Sequence, residues 1–197
     1  MSYRFSTLGR WASASALCLS LAACAQSEGQ PTKVGIEPKQ MADALHAVME
    51  SDRTVYTRNV VNRLQNELGV IKASEHWRDD KGLPLPAQMF RMGAEMASAK
   101  ELGFTYALIS EWPVNKQNKP RTEAEITGLK FIAQNPKQSY YTEETLGDRK
   151  YFTAIYPDVA VAEACIKCHN AHKDSPRNDF AMDDVMGGVV IRIETPS

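Results

Sequence analysis

Apolar positions recur at helical spacing from Gln40 to Leu68, at Met41, Leu45, Val48, Met49, Val55, Tyr56, Val60, Leu64 and Leu68. This pattern predicts one long amphipathic helix, stopped by Gly69. Gly82-Leu83-Pro84-Leu85-Pro86 reads as a rigid turn. Pro86 suits the first helical position, where a missing N–H costs nothing, and opens a second helix predicted to run to Leu102 and end at Gly103. Phe104–Ser110, rich in aromatic and aliphatic residues, predicts a strand, and Trp112–Pro120 a loop. Thr122 and Glu125 form a capping box for a helix reaching Asn135, ended by Pro136. Two strand-like runs, 138–145 and 150–156, flank the turn Leu146-Gly147-Asp148-Arg149 and predict an antiparallel hairpin. Val159–His169 predicts a short helix and Gly187–Ile193 a closing strand. Helices against an antiparallel sheet make an α+β architecture.

The N-terminus changes the picture of where this domain works. Met1–Arg10 carries Arg4 and Arg10 and no acid, and Trp11–Leu21 is an apolar run too short to span a bilayer. Together they have the form of a signal peptide. The run closes in Leu21-Ala22-Ala23-Cys24, which looks like a bacterial lipobox. Residues 1–23 are then removed and Cys24 carries the acyl chains that anchor the protein to a membrane. An ordinary secretory signal with an incidental cysteine is the alternative. Ala25 stands where inner-membrane retention in enteric-type bacteria favours aspartate, which points to the outer membrane. Residues 24–39, with Ser27, Gly29, Pro31, Gly35 and Pro38, read as a flexible tether, leaving 40–197 as the domain.

Processing leaves two free cysteines, in Cys165-Ile166-Lys167-Cys168-His169. Cys18 leaves with the signal and Cys24 is lipidated. The spacing is that of covalent c-type haem attachment: two thiols one helical turn apart bond the porphyrin edge, and the histidine that follows binds the iron. Zinc is a poor rival, because a structural site wants four ligands and only His46, His76 and His172 remain to complete it. A short-range disulfide is allowed in an oxidising compartment. A thioredoxin-type pair lacks the βαβ setting.

These residues carry a resemblance. The run from Cys165 to Phe180, then Gly187-Gly188-Val189, and the stretches Tyr56–Val61, Leu83–Ala87 and Ser110–Val114 resemble the c-type-haem, PAS-like sensor domain found ahead of bacterial adenylate cyclases, histidine kinases and chemoreceptors, and also stand-alone. The likeness covers Gln40–Ile193. It implies a PAS-like antiparallel sheet with a long N-terminal helix and one covalent haem c, with Cys165 and Cys168 as thioether sites and His169 as proximal ligand. Unlike the fused members, this sequence is expected to have no output domain and no second transmembrane helix, so a signal would pass to a separate protein partner.

The sixth iron ligand separates a sensor from an electron carrier. His172, three residues beyond His169, falls on the same turn and should lie on the proximal side, beside a propionate or the local backbone. His46 lies beside the apolar stripe of the first helix, and His76 precedes a charged turn. Met89, Met92 and Met96 recur at helical spacing, a pattern that also serves core packing. A position open to water or a small gas is the remaining option. Arg78, Arg91 and Arg121 are candidates to pair with propionates. Tyr140 and Tyr141 fit the core of a strand better than a cofactor contact.

Charge excludes several functions. The formal net charge is −1, and removing two arginines and no acid with residues 1–23 takes it to −3. Nothing points to nucleic acid. Lys33 and Lys39, with Asp43 and Glu50, form an ordinary charged face. No Ser-His-Asp set, phosphate loop or H-E-x-x-H motif appears, and we do not expect an enzyme. The expectation is a periplasm-facing haem c lipoprotein, either a redox or gas sensor module or a lipid-tethered electron-transfer cytochrome. The long first helix suits pairing into a homodimer, or simply covering its own sheet.

Overall fold

The computed structural model describes residues 35–196. The signal-like segment, Cys24 and the tether up to Val34 lie outside the described residues.

Helix α1, Pro38–Val55, begins with the proline at its first turn and carries straight into a wider π-helical segment, Tyr56–Glu67. There the Leu68 N–H bonds to the carbonyl of Arg63, five residues back, at 3.0 Å. The sequence predicted one α-helix over this span. A 3.6-residue stripe does not reveal a change of winding, and two side-chain bonds flank its start. The Thr57 hydroxyl donates back to the Arg53 carbonyl at 2.7 Å, while the Tyr56 hydroxyl reaches out to the Pro84 carbonyl at 2.7 Å. π-Helical turns concentrate at functional sites. Gly69 ends the segment with φ of 63°, a left-handed value that glycine adopts without strain.

A two-residue parallel pairing follows between β1, Ala73–Ser74, and β2, Leu83–Pro84. Helix α2, Pro86–Ser98, starts as predicted but ends four residues short of Leu102. Its side chain of Gln88 caps the Leu85 N–H at 3.0 Å. After β3, Phe104–Ile109, helix α3, Glu123–Gln134, opens on the expected capping box of Thr122 and Glu125. Strands β4, Tyr140–Leu146, and β5, Arg149–Val159, form the predicted hairpin. Helix α4, Glu163–Ala171, and strand β6, Val185–Thr195, complete the chain.

Strand β5 runs three residues past its predicted end, through Pro157. Its pairing with β4 stops at Ile155, while pairing with β6 continues to Val159, so Pro157 sits where one edge is already open and its missing N–H is tolerated. The helix predicted from Val159 therefore starts later, at Glu163.

The four long strands form one antiparallel sheet in the order β3-β6-β5-β4. Alternation along β5 and β6 sends successive side chains to opposite faces. Ala154, Tyr156, Val189, Ile191 and Ile193 pack with Ala42 of α1 and Phe90 of α2. Ile155 and Val190 pack with Leu129 and Ile132 of α3. Burial on both faces explains why β6 reads as a nearly unbroken apolar run. Arg192, also on β6, makes a buried pair of ion pairs, to Glu125 of α3 and Glu144 of β4, each at 2.7 Å. The architecture is α+β with an antiparallel sheet, as the sequence pattern implied.

Candidate functional site

Helix α4 sits between the end of β5 and the loop leading to β6, and it packs over the π-helical segment. It carries Cys165, Cys168 and His169 on one wall of a cavity of about 520 Å³, a size that suits a cofactor. The opposing walls come from α2 through Pro86 and Met92, from the end of β3 through Ile109, and from Val61 of the π-helix. The lining is mostly apolar. Gly187 of β6 also faces it, and a Cβ there would come within 2.5 Å of the Ile109 carbonyl, so only glycine lets the two strands meet beside the cavity.

Both cysteines are free thiols. Cys168 is exposed as a residue, but its thiol lies against the cavity wall, where desolvation first, and then Glu75 and Cys165, hold it above its usual value. A disulfide-exchange nucleophile needs the opposite shift. Among the described residues no group of three His, Cys, Asp or Glu side chains converges as a metal cluster.

His169 is the least satisfied polar group of this region. Its Nδ1 is buried with no hydrogen-bond partner among the described residues. Burial, followed by the charge of Arg53 and His172, pushes its pKa down, so the ring is neutral at pH 7, the form in which imidazole binds a metal. Arg53 reaches the same cavity from α1. Its Nη1 is ion-paired with Asp158 of β5, and its Nε is the other buried polar atom without a partner among the described residues. Burial raises the pKa of Asp158 against the opposing pull of Arg53.

The remaining sequence candidates separate clearly. Met92 and His172 line the cavity; Met89, Met96, His46 and His76 do not. His46 instead stacks on Tyr156, ring centroids 3.9 Å apart, beside a small separate cavity. His76 is exposed in a turn, and Met96 is 70% exposed. His172 caps the end of α4, and its Nδ1 accepts the Asp174 N–H at 3.1 Å, the local backbone bond expected of it. Of the candidate arginines, Arg78 and Arg91 border the cavity, whereas Arg121 bonds to the Gln117 carbonyl outside it. Tyr140 and Tyr141 belong to the core. Sequence reasoning missed Arg53, whose partner lies 105 residues away, and it missed the work of Asn170, Arg177 and Phe180, although the run from Asn170 marked their place.

The fold and the cavity define a class: an α+β domain whose Cys-x-x-Cys-His helix closes an apolar pocket beside an antiparallel sheet. Residues 32–194 match the Tll0287-like family, and the chain belongs to that family. The crystal structure of the cyanobacterial haem protein Tll0287 is similar in fold, with a TM-score of 0.51 at 12% identity, covering 82% of this chain and 98% of that one. Nothing matches among the curated proteins.

Proposed function

We propose that this protein is a haem c-binding module that serves outside the cytoplasm as a redox or gas sensor. Cys165 and Cys168 would hold the haem by thioether bonds, and His169 would bind its iron. The observation that carries the reading is the convergence of both thiols and a neutral, unpartnered imidazole on one apolar cavity of cofactor size. Membership of a family named for Tll0287, a haem protein, supports it. The haem would supply a one-electron centre.

The chain's own residues do the rest. Met92, on α2, is the one methionine of the predicted set at the cavity, and it is the candidate side chain to complete the iron's coordination. Arg78 and Arg91 supply planar guanidinium groups for propionate carboxylates at the cavity rim. The apolar walls exclude water. Arg53 joins the cavity to α1 and β5 through Asp158, giving the site a mechanical link to the long helix, which a partner protein would read. The PAS-like resemblance favours this sensor role. Lipid attachment at Cys24 would hold the module at a membrane facing the periplasm, as a non-enzymatic component.

A second reading, a lipid-tethered electron-transfer cytochrome, is favoured by the exposure of Cys168, which would bring the thioether edge near solvent. The discriminating experiment is the ferrous absorption spectrum of the matured domain before and after carbon monoxide. A prompt shift supports the sensor; an unchanged six-coordinate spectrum supports the carrier, and Met92→Ala should then open the iron. A domain that takes up no haem where a control cytochrome matures would contradict both.

A further inference from the structure

Metal-binding imidazoles normally donate the second N–H to a carboxylate, carbonyl or water, which fixes the ring plane. Among the described residues, no group accepts from the buried Nδ1 of His169. Its neighbour is aromatic. Phe180, 4% exposed, meets it edge to face, with ring centroids 5.9 Å apart and an interplanar angle of 89°.

Phe180 is itself held from three directions. Asn170, the residue directly after His169, clamps its backbone: the side-chain amide donates to the Phe180 carbonyl and its oxygen accepts the Phe180 N–H, both at 2.9 Å. Trp112 meets the ring edge-on at 6.0 Å. The Arg177 guanidinium lies over Phe180 at 4.3 Å and over Trp112 at 5.2 Å. Arg177 is in turn anchored by Asp179 at 2.6 Å and Asp184 at 3.0 Å. The stack Arg177–Phe180–His169 thus ends on the imidazole.

We propose that this post-helix segment is a clamp in which Phe180 and Arg177 are positioning residues: packing, in place of a hydrogen bond, sets the ring plane of His169. The proposal rests on reading His169 as an axial ligand. Two consequences follow. An imidazole with no acceptor on its second nitrogen is a weaker donor to iron. In addition, Arg177 with Asp179 and Asp184 carries a formal charge of about −1, and loss of Arg177 takes it to about −2, a change that favours the ferric state.

The test uses the full mature protein with Phe180→Leu, Arg177→Met and Arg177→Lys. In the haem-loaded form, F180L should broaden and shift the iron–histidine stretching band in resonance Raman. R177M should lower the ferrous-to-ferric ratio at fixed potential about tenfold, a downward midpoint shift of ~59 mV for one electron. R177K keeps the charge and should restore most of that potential. In haem-free protein, nuclear Overhauser contacts between the rings of His169 and Phe180 should be strong in the wild type. Those from His169 to the residue at 180 should weaken in F180L. Normal haem loading with unchanged Raman band and potential in F180L and R177M, and a His169 ring equally mobile with and without Phe180, would overturn the clamp alone. A wild-type protein that acquires no haem would overturn the axial-ligand reading and the clamp with it.

Discussion

The two faces of the sheet solve opposite problems. On the α3 face every buried charge is matched: Arg192 bonds to both Glu125 and Glu144, Glu144 also accepts the Thr153 hydroxyl at 2.7 Å, and Glu125 caps its own helix. On the face bearing α1 and α2, the α4 end holds a cavity and the two buried polar atoms left without partners among the described residues, Nε of Arg53 and Nδ1 of His169. Unmatched buried groups cost stability, and natural folds tolerate them where function requires them. The closed face stabilises the fold, and the open face carries the cavity in which the proposed function places a haem.

The largest effect that sharpens this contrast should come from Arg192→Met. It strands two carboxylates whose side chains are 6% and 9% exposed, and breaking a buried pair in this way costs about 3–5 kcal/mol. Urea unfolding of the haem-free domain measures it. Gly128→Ala comes next. A Cβ at Gly128 would lie 2.4 Å from Ile155 Cδ1 and 2.9 Å from Tyr140 Cδ1, so overpacking should cost about 1–3 kcal/mol in the same assay. An effect near zero would mean that α3 seats more loosely than the contacts indicate.

The next effect is pH dependence. Burial lowers the pKa of His46, which stacks on Tyr156, against the opposing charges of Glu50 and Asp43, and burial likewise lowers that of His169. With both folded values below the unfolded value of about 6.5, the unfolded chain binds more protons just below that pH. Stability should therefore be constant above it and fall as the pH drops through the folded values. His46→Gln should flatten part of that slope in unfolding curves at pH 7 and pH 5. The smallest effect should be His169→Leu in the haem-free domain. Replacing an orphaned buried nitrogen by an apolar group is about neutral or slightly stabilising; a loss as large as that of Arg192→Met would erase the distinction between the two faces.

The closed face was the more legible in the sequence. The Thr122–Glu125 box, the hairpin around Gly147 and the apolar run of β6 are local signals, and each appears within a few residues of its predicted place. The Cys165-to-His169 motif falls on one wall of the cavity, because its spacing is itself a geometric statement. What escaped was non-local. The change to π-helical winding begins at Tyr56, whose hydroxyl bonds to Pro84, 28 residues away. The Arg53–Asp158 pair joins α1 to β5, and Pro157 is tolerated in a strand only because β4 has already ended. His46 shares the polarity of a ligand, but its stacking on Tyr156 is set by tertiary packing that no helical stripe encodes.

The most direct test is intact-mass spectrometry and a ferrous absorption spectrum of the protein matured with a cytochrome c assembly system, beside its Cys165→Ser/Cys168→Ser and His169→Ala variants. The account predicts one covalent haem on the wild type, none on the double-serine variant, and a covalently attached haem with altered axial ligation in His169→Ala. Wild-type protein of unmodified mass in the region of Cys165 and Cys168, in cells that mature a control cytochrome, would contradict it.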